Sequence, residues 1–203
     1  LNKLKALEEK GINPYPHPFK PTATSASLAK KYADLAPDTQ TEDVVQVAGR
    51  VRAIRNSGMF MDIYDVTGKV QIYTSKEHSD SAVLEMLDMI DIGDMIGIQG
   101  TVRRTKRGEL SVNTQQITML AKALLPLPEK FHGLTDTDTK YRHRELDMIM
   151  NPETIQTLIK RSRIIESIRQ LLREKGLFEV ETPVLQTIKG GAAAKPFITH
   201  HNS

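Results

Sequence analysis

VVQVAGRVRAI (Val44–Ile54), GMFMDIYDV (Gly58–Val66) and KVQIYTS (Lys69–Ser75), then SDSAVLEMLDMI (Ser79–Ile90), MIGIQGTVRRT (Met95–Thr105) and ELSVNTQQITML (Glu109–Leu120), decide the fold. The first three segments are rich in β-branched and aromatic residues that alternate with polar ones, the period of a half-buried strand, and Thr67-Gly68 makes a tight turn between the second and third. The period then changes. Val83, Met86, Leu87 and Ile90 recur at steps of three and four behind Ser79 or Asp80 as N-cap, which predicts a helix. Gly93-Asp94 opens a fourth strand, and Lys106-Arg107-Gly108 turns it into a fifth.

Three strands, a helix and two strands in about 80 residues fit the five-stranded OB barrel, a small Greek-key sheet that binds oligonucleotides on the face of its second and third strands. Other small barrels share this order. Upstream, LNKLKALEEKG reads as a helix. Pro14, Pro16, Pro18 and Pro21 then forbid regular structure, since each fixes φ and biases the residue before it away from helix. SLAKKYADL (Ser27–Leu35) reads as a second short helix. The expected organisation is a helical extension over 1–43, a barrel over 44–122, and a linker over 123–151 that ends in a short helix. A further domain begins at 152. Asn151 is its candidate N-cap, Pro152 takes the favoured first helical position, and Glu153 suits the helix dipole. Ile155, Leu158, Ile159, Ile165, Ile168 and Leu172 make an apolar stripe. Gly176 ends the helix, and LFEVETPVLQ (Leu177–Gln186) reads as a strand whose ladder is stopped by Pro183.

The 203 residues carry 28 Lys plus Arg against 25 Asp plus Glu, a formal net charge of +3, and 39% are apolar. That is a globular composition, with room for one domain and part of another. No run approaches the roughly 20 apolar residues needed to span a bilayer, and the charged N-terminus has no apolar signal core; a soluble, unexported protein is expected, with no membrane partner. The absence of Cys excludes disulfides, thiolate nucleophiles and Cys-ligated zinc. A charge of +3 does not mark a nucleic-acid binder, so such a reading rests on where the basic residues sit.

Arg50, Arg52 and Arg55 lie near the first turn, with Phe60, Asp62 and Tyr64 on one face of the second strand and Gln71 and Tyr73 on one face of the third. An exposed aromatic beside Arg and Gln offers single-stranded nucleic acid a stacking platform, a phosphate contact and an amide for a base edge. The alternative is that Phe60 is core and Gln71 merely solvated. Arg103-Arg104-Thr105-Lys106-Arg107 and Lys140 to Arg144 could flank a polyanion or be solvated faces. Catalytic signatures are missing. Gly190-Gly191 is followed by no Gly-Lys-Ser or Gly-Lys-Thr, there is no G-x-S-x-G elbow, and His200-His201 have no neighbouring carboxylate or Cys to complete a metal site. Asp136 and Asp138 read as turn residues.

Seven stretches together resemble the N-terminal part of a bacterial-type class II lysyl-tRNA synthetase: AGRVRAIRNSGMF, DVTGKVQIY, KRGELSV, KALLPLPEKFHGL, KYRHRELD, the motif-1-like GLFEVETPVLQ, and GGAAAKPFITHHN. The resemblance implies a cytoplasmic homodimer: an OB barrel that reads the anticodon of tRNA(Lys), then the first helix and strand of an α+β catalytic domain that makes lysyl-adenylate from lysine and ATP with Mg2+. It implies that Phe60 stacks on an anticodon base, that Gln71 reads a neighbouring base, and that Glu109 contributes from its loop. The contacting arginine is Arg55, or Arg52, because the first hairpin is about two residues shorter than the family pattern. Gly190, Gly191 and Ala192 resemble the loop lying against bound lysine, where small residues permit close backbone approach; a flexible linker is the other reading. Ile165, Ile168 and Pro183 fall in motif 1, the family's dimer interface. No stretch resembles motif 2 or motif 3, which hold the ATP-binding arginines and the magnesium carboxylates. The chain is therefore expected to be a fragment, inactive in adenylate synthesis by itself. Aspartyl- and asparaginyl-type synthetases share the layout, and a noncatalytic RNA-binding module is the alternative of a different class.

Overall fold

Alternating strands close on themselves when each finds two neighbours, and those of the computed structural model do so in the order β1-β2-β3-β5-β4 and back to β1. Residues 1–75, 77, 79–128, 134–184 and 199–200 are described. In chain order the elements are α1 (Asn2–Glu9), α2 (Ser25–Lys31), β1 (Thr39–Arg55), β2 (Phe60–Tyr64), β3 (Lys69–Tyr73), α3 (Ser81–Met89), β4 (Met95–Arg104), β5 (Leu110–Ala121), α4 (Thr137–Arg142), α5 (Arg144–Met150) and α6 (Pro152–Glu174). Two units, Leu1–Glu129 and Lys130–Ser203, divide them.

In the first unit every neighbouring strand pair is antiparallel except β3 with β5. The chain leaves β3 through α3 and β4 before β5 returns beside it, which is the expected OB connection. Met61, Ile63, Val70, Ile72, Ile96, Ile98, Val102 and Val112 point inward and are buried. Each such side chain stabilises the fold by roughly 1.5–3 kcal/mol relative to exposure. Val83 and Leu87 of α3, Leu7 of α1 and Leu28 of α2 join the same core. The β1–β2 turn is built from three left-handed residues, Asn56, Ser57 and Gly58, the first two without glycine's freedom. At Gly58 a Cβ would meet the Leu87 side chain.

Buried charges bind the ends of this unit together. Lys122, 4% exposed at its side chain, reaches the fully buried Asp94 at 2.7 Å and Asp91 at 2.7 Å. It also donates to the Met89 carbonyl at 2.9 Å. Lys3 of α1 donates to the other Asp91 oxygen at 2.7 Å. Asp94 further accepts from the Ala123 and Asp91 amides. The start of β4, the exit of β5, the end of α3 and α1 are thus tied through two carboxylates.

The second unit begins with two short helices where the sequence suggested one. Asp136 caps α4 by accepting from the Thr139 amide at 2.7 Å, and Asp138 pairs with Arg142, so both serve local helix structure. Pro152 is at the start of α6 as expected. Asn151 caps it without a side-chain bond because its amide donates to Asp147. Gly176, at φ 80°, ends α6, and its amide and that of Leu177 turn back to Arg173 and Leu172.

Three expectations are corrected. β1 starts at Thr39, five residues before Val44, because Thr39 and Gln40 pair with Arg104 and Arg103 at the far end of β4. The second helix is Ser25–Lys31 rather than a run to Leu35, because Thr24 and Ser27 form a reciprocal cap that starts it early. Leu177–Val184 carries no ladder. Among the described residues no segment pairs with it, and an extended chain without a partner has no strand hydrogen bonds to make. Gln186, Gly190, Gly191, Ala192 and His201 lie outside the described residues.

Candidate nucleic-acid interface

Once Met61, Ile63, Val70 and Ile72 point into the barrel, Phe60, Asp62, Tyr64, Lys69, Gln71 and Tyr73 must point out of it. The antiparallel register sets Phe60 opposite Tyr73, Asp62 opposite Gln71 and Tyr64 opposite Lys69. The two sequence-predicted strand faces are therefore one surface. Phe60 sits partly buried on it, outside the core, with its ring centroid 5.1 Å from that of Tyr73 and the planes tilted by 46°. Across β3, Gln71 lies opposite Ser111 of β5. The Ser111 hydroxyl donates to Gln71 Oε1 at 2.8 Å, so the amide nitrogen remains as the donor this side chain can offer.

Three arginines reach the same surface by different routes. Arg55, opposite Phe60 in β1, is held by both oxygens of Asp62 at 2.8 and 2.9 Å. That hydrogen-bonded carboxylate raises the Arg55 pKa above its ordinary value. Arg52 is the extra residue where the β1–β2 register shifts between Val51 and Ala53. A bulge re-aims a side chain, and the Arg52 guanidinium lies 4.4 Å from the Tyr64 ring centroid. Arg103 comes from β4 and lies 4.7 Å over the Tyr73 ring.

Glu109, in the turn that enters β5, accepts from Lys69 at 2.8 Å. The bond raises the Lys69 pKa. Arg55, Phe60, Gln71 and Glu109, four residues chosen from sequence, are thus brought to one side of the barrel, each on or beside β2 and β3. Arg50 is not among them, since its guanidinium donates to the Gly93 carbonyl at 2.7 Å. The run from Arg103 to Arg107 is split in the same way. Arg104 donates to the carbonyls of Gly108 and Tyr32 and so holds the turn and α2 rather than facing a ligand.

Sequence reasoning passed over three contributors. Asp62 was visible only as a strand residue, and its pairing with Arg55 depends on register. The two tyrosine–arginine stacks were hidden for the same reason, although Val102 as an inward residue would have put Arg103 outside. Nothing on the described residues assembles a metal site: no group of three His, Cys, Asp or Glu comes together among them. Nor is any of their helices long and apolar enough to cross a membrane.

Comparison with known proteins agrees with the barrel fold. The family model of the OB-fold nucleic acid binding domain matches residues 28–120, and that of tRNA synthetases class II (D, K and N) matches 136–203. A lysine–tRNA ligase from Sinorhizobium medicae (strain WSM419) is 56% identical over 201 residues, 99% of this chain and 40% of the relative. One from Rhizobium meliloti (strain 1021) is 53% identical with the same coverage. The lysine–tRNA ligase of Moorella thermoacetica (strain ATCC 39073 / JCM 9320) is 46% identical over 205 residues, 100% of this chain and 41% of its own. The chain therefore spans about 40% of the length of the curated relatives it matches.

Proposed function

Because the chain belongs to the lysine–tRNA ligase family, we propose that it is the anticodon-reading part, with the start of the catalytic domain, of a cytoplasmic enzyme that activates lysine with ATP and transfers it to tRNA(Lys). The observation that carries this reading is Phe60, held outside the core among Arg55, Gln71 and Glu109 on one barrel face. Phe60 is the stacking platform for an anticodon base. Gln71, its oxygen already bonded to Ser111, donates its amide N–H to a carbonyl oxygen of a base edge. Arg55, aligned by Asp62, has further N–H donors for a base or phosphate. Glu109 accepts from a base amino or imino group when Lys69 releases it.

The catalytic step belongs to the class II domain that begins in the second unit. ATP and Mg2+ go with that chemistry. The Gly190, Gly191 and Ala192 loop is proposed to lie against the substrate lysine. α6 and the Pro183 segment are proposed as the homodimer contact. On α6, Ile165 and Ile168 are exposed.

The test is Phe60→Ala in the full-length enzyme. Loss of base stacking weakens tRNA(Lys) binding by about 1–3 kcal/mol and leaves lysine-dependent ATP–pyrophosphate exchange intact. Unchanged affinity at matched salt overturns the anticodon assignment, and failure of the full-length protein to charge tRNA(Lys) overturns the activity.

A further inference from the structure

Tyr73 and Arg103 have no part in the contacts assigned above, yet they occupy the same surface. Val102 is fully buried, so its neighbour Arg103 points outward from β4. There Arg103 stands opposite Ser111, and Ser111 stands opposite Gln71, which places Arg103 in the outward row of Asp62 and Gln71. Its guanidinium lies 4.7 Å over the Tyr73 ring centroid, and the Tyr73 ring lies 5.1 Å from that of Phe60.

The charge on Arg103 is also uncommitted. Arg55 is paired with Asp62 and Lys69 with Glu109, whereas Arg103 has no carboxylate partner among the described residues, and its buried Nε has no hydrogen-bond partner. A guanidinium is a flat, weakly hydrated cation that stacks on aromatic faces. Unpaired bases stack on such planes as readily as on aromatic rings. Seated on Tyr73, the Arg103 plane is held in place before a ligand arrives, which lowers the ordering cost of using it.

We infer that Arg103, laid on Tyr73, is a second base-stacking position that takes the nucleotide adjoining the one stacked on Phe60. This rests on the anticodon reading of the face. It adds a residue from β4 to a surface otherwise assigned to β2, β3 and the turn before β5. A point charge at this position would serve a phosphate equally well. Only a planar group serves a base.

That difference supplies the test, with a lysine anticodon stem-loop as the probe and the full chain as the protein. Arg103→Lys keeps the charge and removes the plane. It is expected to lower affinity about five- to a hundredfold with the salt dependence unchanged. The loss is expected to disappear when the loop nucleotide next to the Phe60-stacked one is made abasic. Tyr73→Leu, which removes the support under Arg103, is expected to reproduce both effects, and Tyr73→Phe to leave binding intact. Native affinity for Arg103→Lys overturns the inference, as does a loss that persists on the abasic loops. Phe60→Ala run in parallel separates the two readings: if it weakens binding while Arg103→Lys does not, only the second position falls. If neither variant changes affinity, the anticodon reading falls with it.

Discussion

Asp62 grips Arg55 with both carboxylate oxygens, at 2.8 and 2.9 Å, and only 11% of its own side chain reaches solvent against 47% for Arg55. A two-point bond fixes the plane of a guanidinium as well as its place. It also neutralises a charge that would otherwise attract any phosphate. Asp62→Asn keeps the shape and removes the restraint. The expected outcome is tighter binding to unrelated single-stranded RNA, with the slope of log affinity against log salt steeper by about 0.7, the contribution of one more phosphate contact. Discrimination between lysine and unrelated anticodon loops narrows at the same time. Binding titrations at several salt concentrations check this, and an unchanged slope with unchanged discrimination would remove Asp62 from the recognition account.

The Lys122–Asp94 pair predicts a stability effect remote from that face. With Lys122 4% exposed and Asp94 wholly buried, truncating Asp94 leaves the buried ammonium with Asp91 as its remaining carboxylate partner. Asp94→Ala is therefore expected to destabilise the barrel by about 1–3 kcal/mol, the cost of leaving buried donors short of an acceptor. It also removes the acceptor for the Ala123 and Asp91 amides. Urea unfolding followed by circular dichroism measures the change as a lower midpoint. A midpoint within error of the native one would mean that the network contributes little.

The contrast between these two pairs marks what could be read from sequence. The order of strands and the place of α3 were legible because period two and period 3.6 are written in local spacing, as in Met61, Ile63, Val70 and Ile72 against Val83 and Leu87. Which outward residues meet was not legible, because it depends on register. Phe60 meets Tyr73 only through the register set by the Asp65–Gly68 turn between β2 and β3, and Arg52 gains Tyr64 only through a one-residue bulge. Lys122 marked only the end of the barrel segment, yet its partners are 28 and 31 positions away. The strand expected at Leu177 failed for a related reason: a pattern can favour extension, but a ladder needs a neighbour.

Asp65 links the same barrel to pH. One of its oxygens accepts from the amides of Thr67 and Gly68 and from the Thr67 hydroxyl, and the other from the Ser25 amide at the start of α2. Burial alone would raise its pKa, but those hydrogen bonds outweigh it and leave the carboxyl below its ordinary value of 3.8. A group depressed on folding stabilises the fold above the unfolded pKa. That stability is lost as pH falls through the folded value. The native chain is thus expected to lose stability more steeply than Asp65→Asn as pH drops below about 4, with the variant less stable at neutral pH. Thermal melts of both proteins from pH 7 to pH 3 test this. Parallel curves would show that Asp65 is not one of the titrating groups.

α6 carries the last prediction. Its stripe is half-covered at Ile155, Leu158 and Ile159, in the part of the helix that α5 packs against. From Ile164 onward it is open, with Ile165 40% and Ile168 52% exposed. A helix with so long an apolar face gains little by itself, since most helical stability comes from packing that face against a partner. In the proposed homodimer the partner is the same helix region of a second subunit, and a two-fold contact places each change in the interface twice. Ile168→Glu would bring a carboxylate into that interface unpaired, at a cost of several kcal/mol per dimer. The full-length protein is expected to sediment as a dimer and the variant as a monomer at the same micromolar concentration. Helix content should be unchanged, because position 168 is solvent-facing within one chain. A native protein that sediments as a monomer, or a variant that dimerises undiminished, would exclude α6 as the contact.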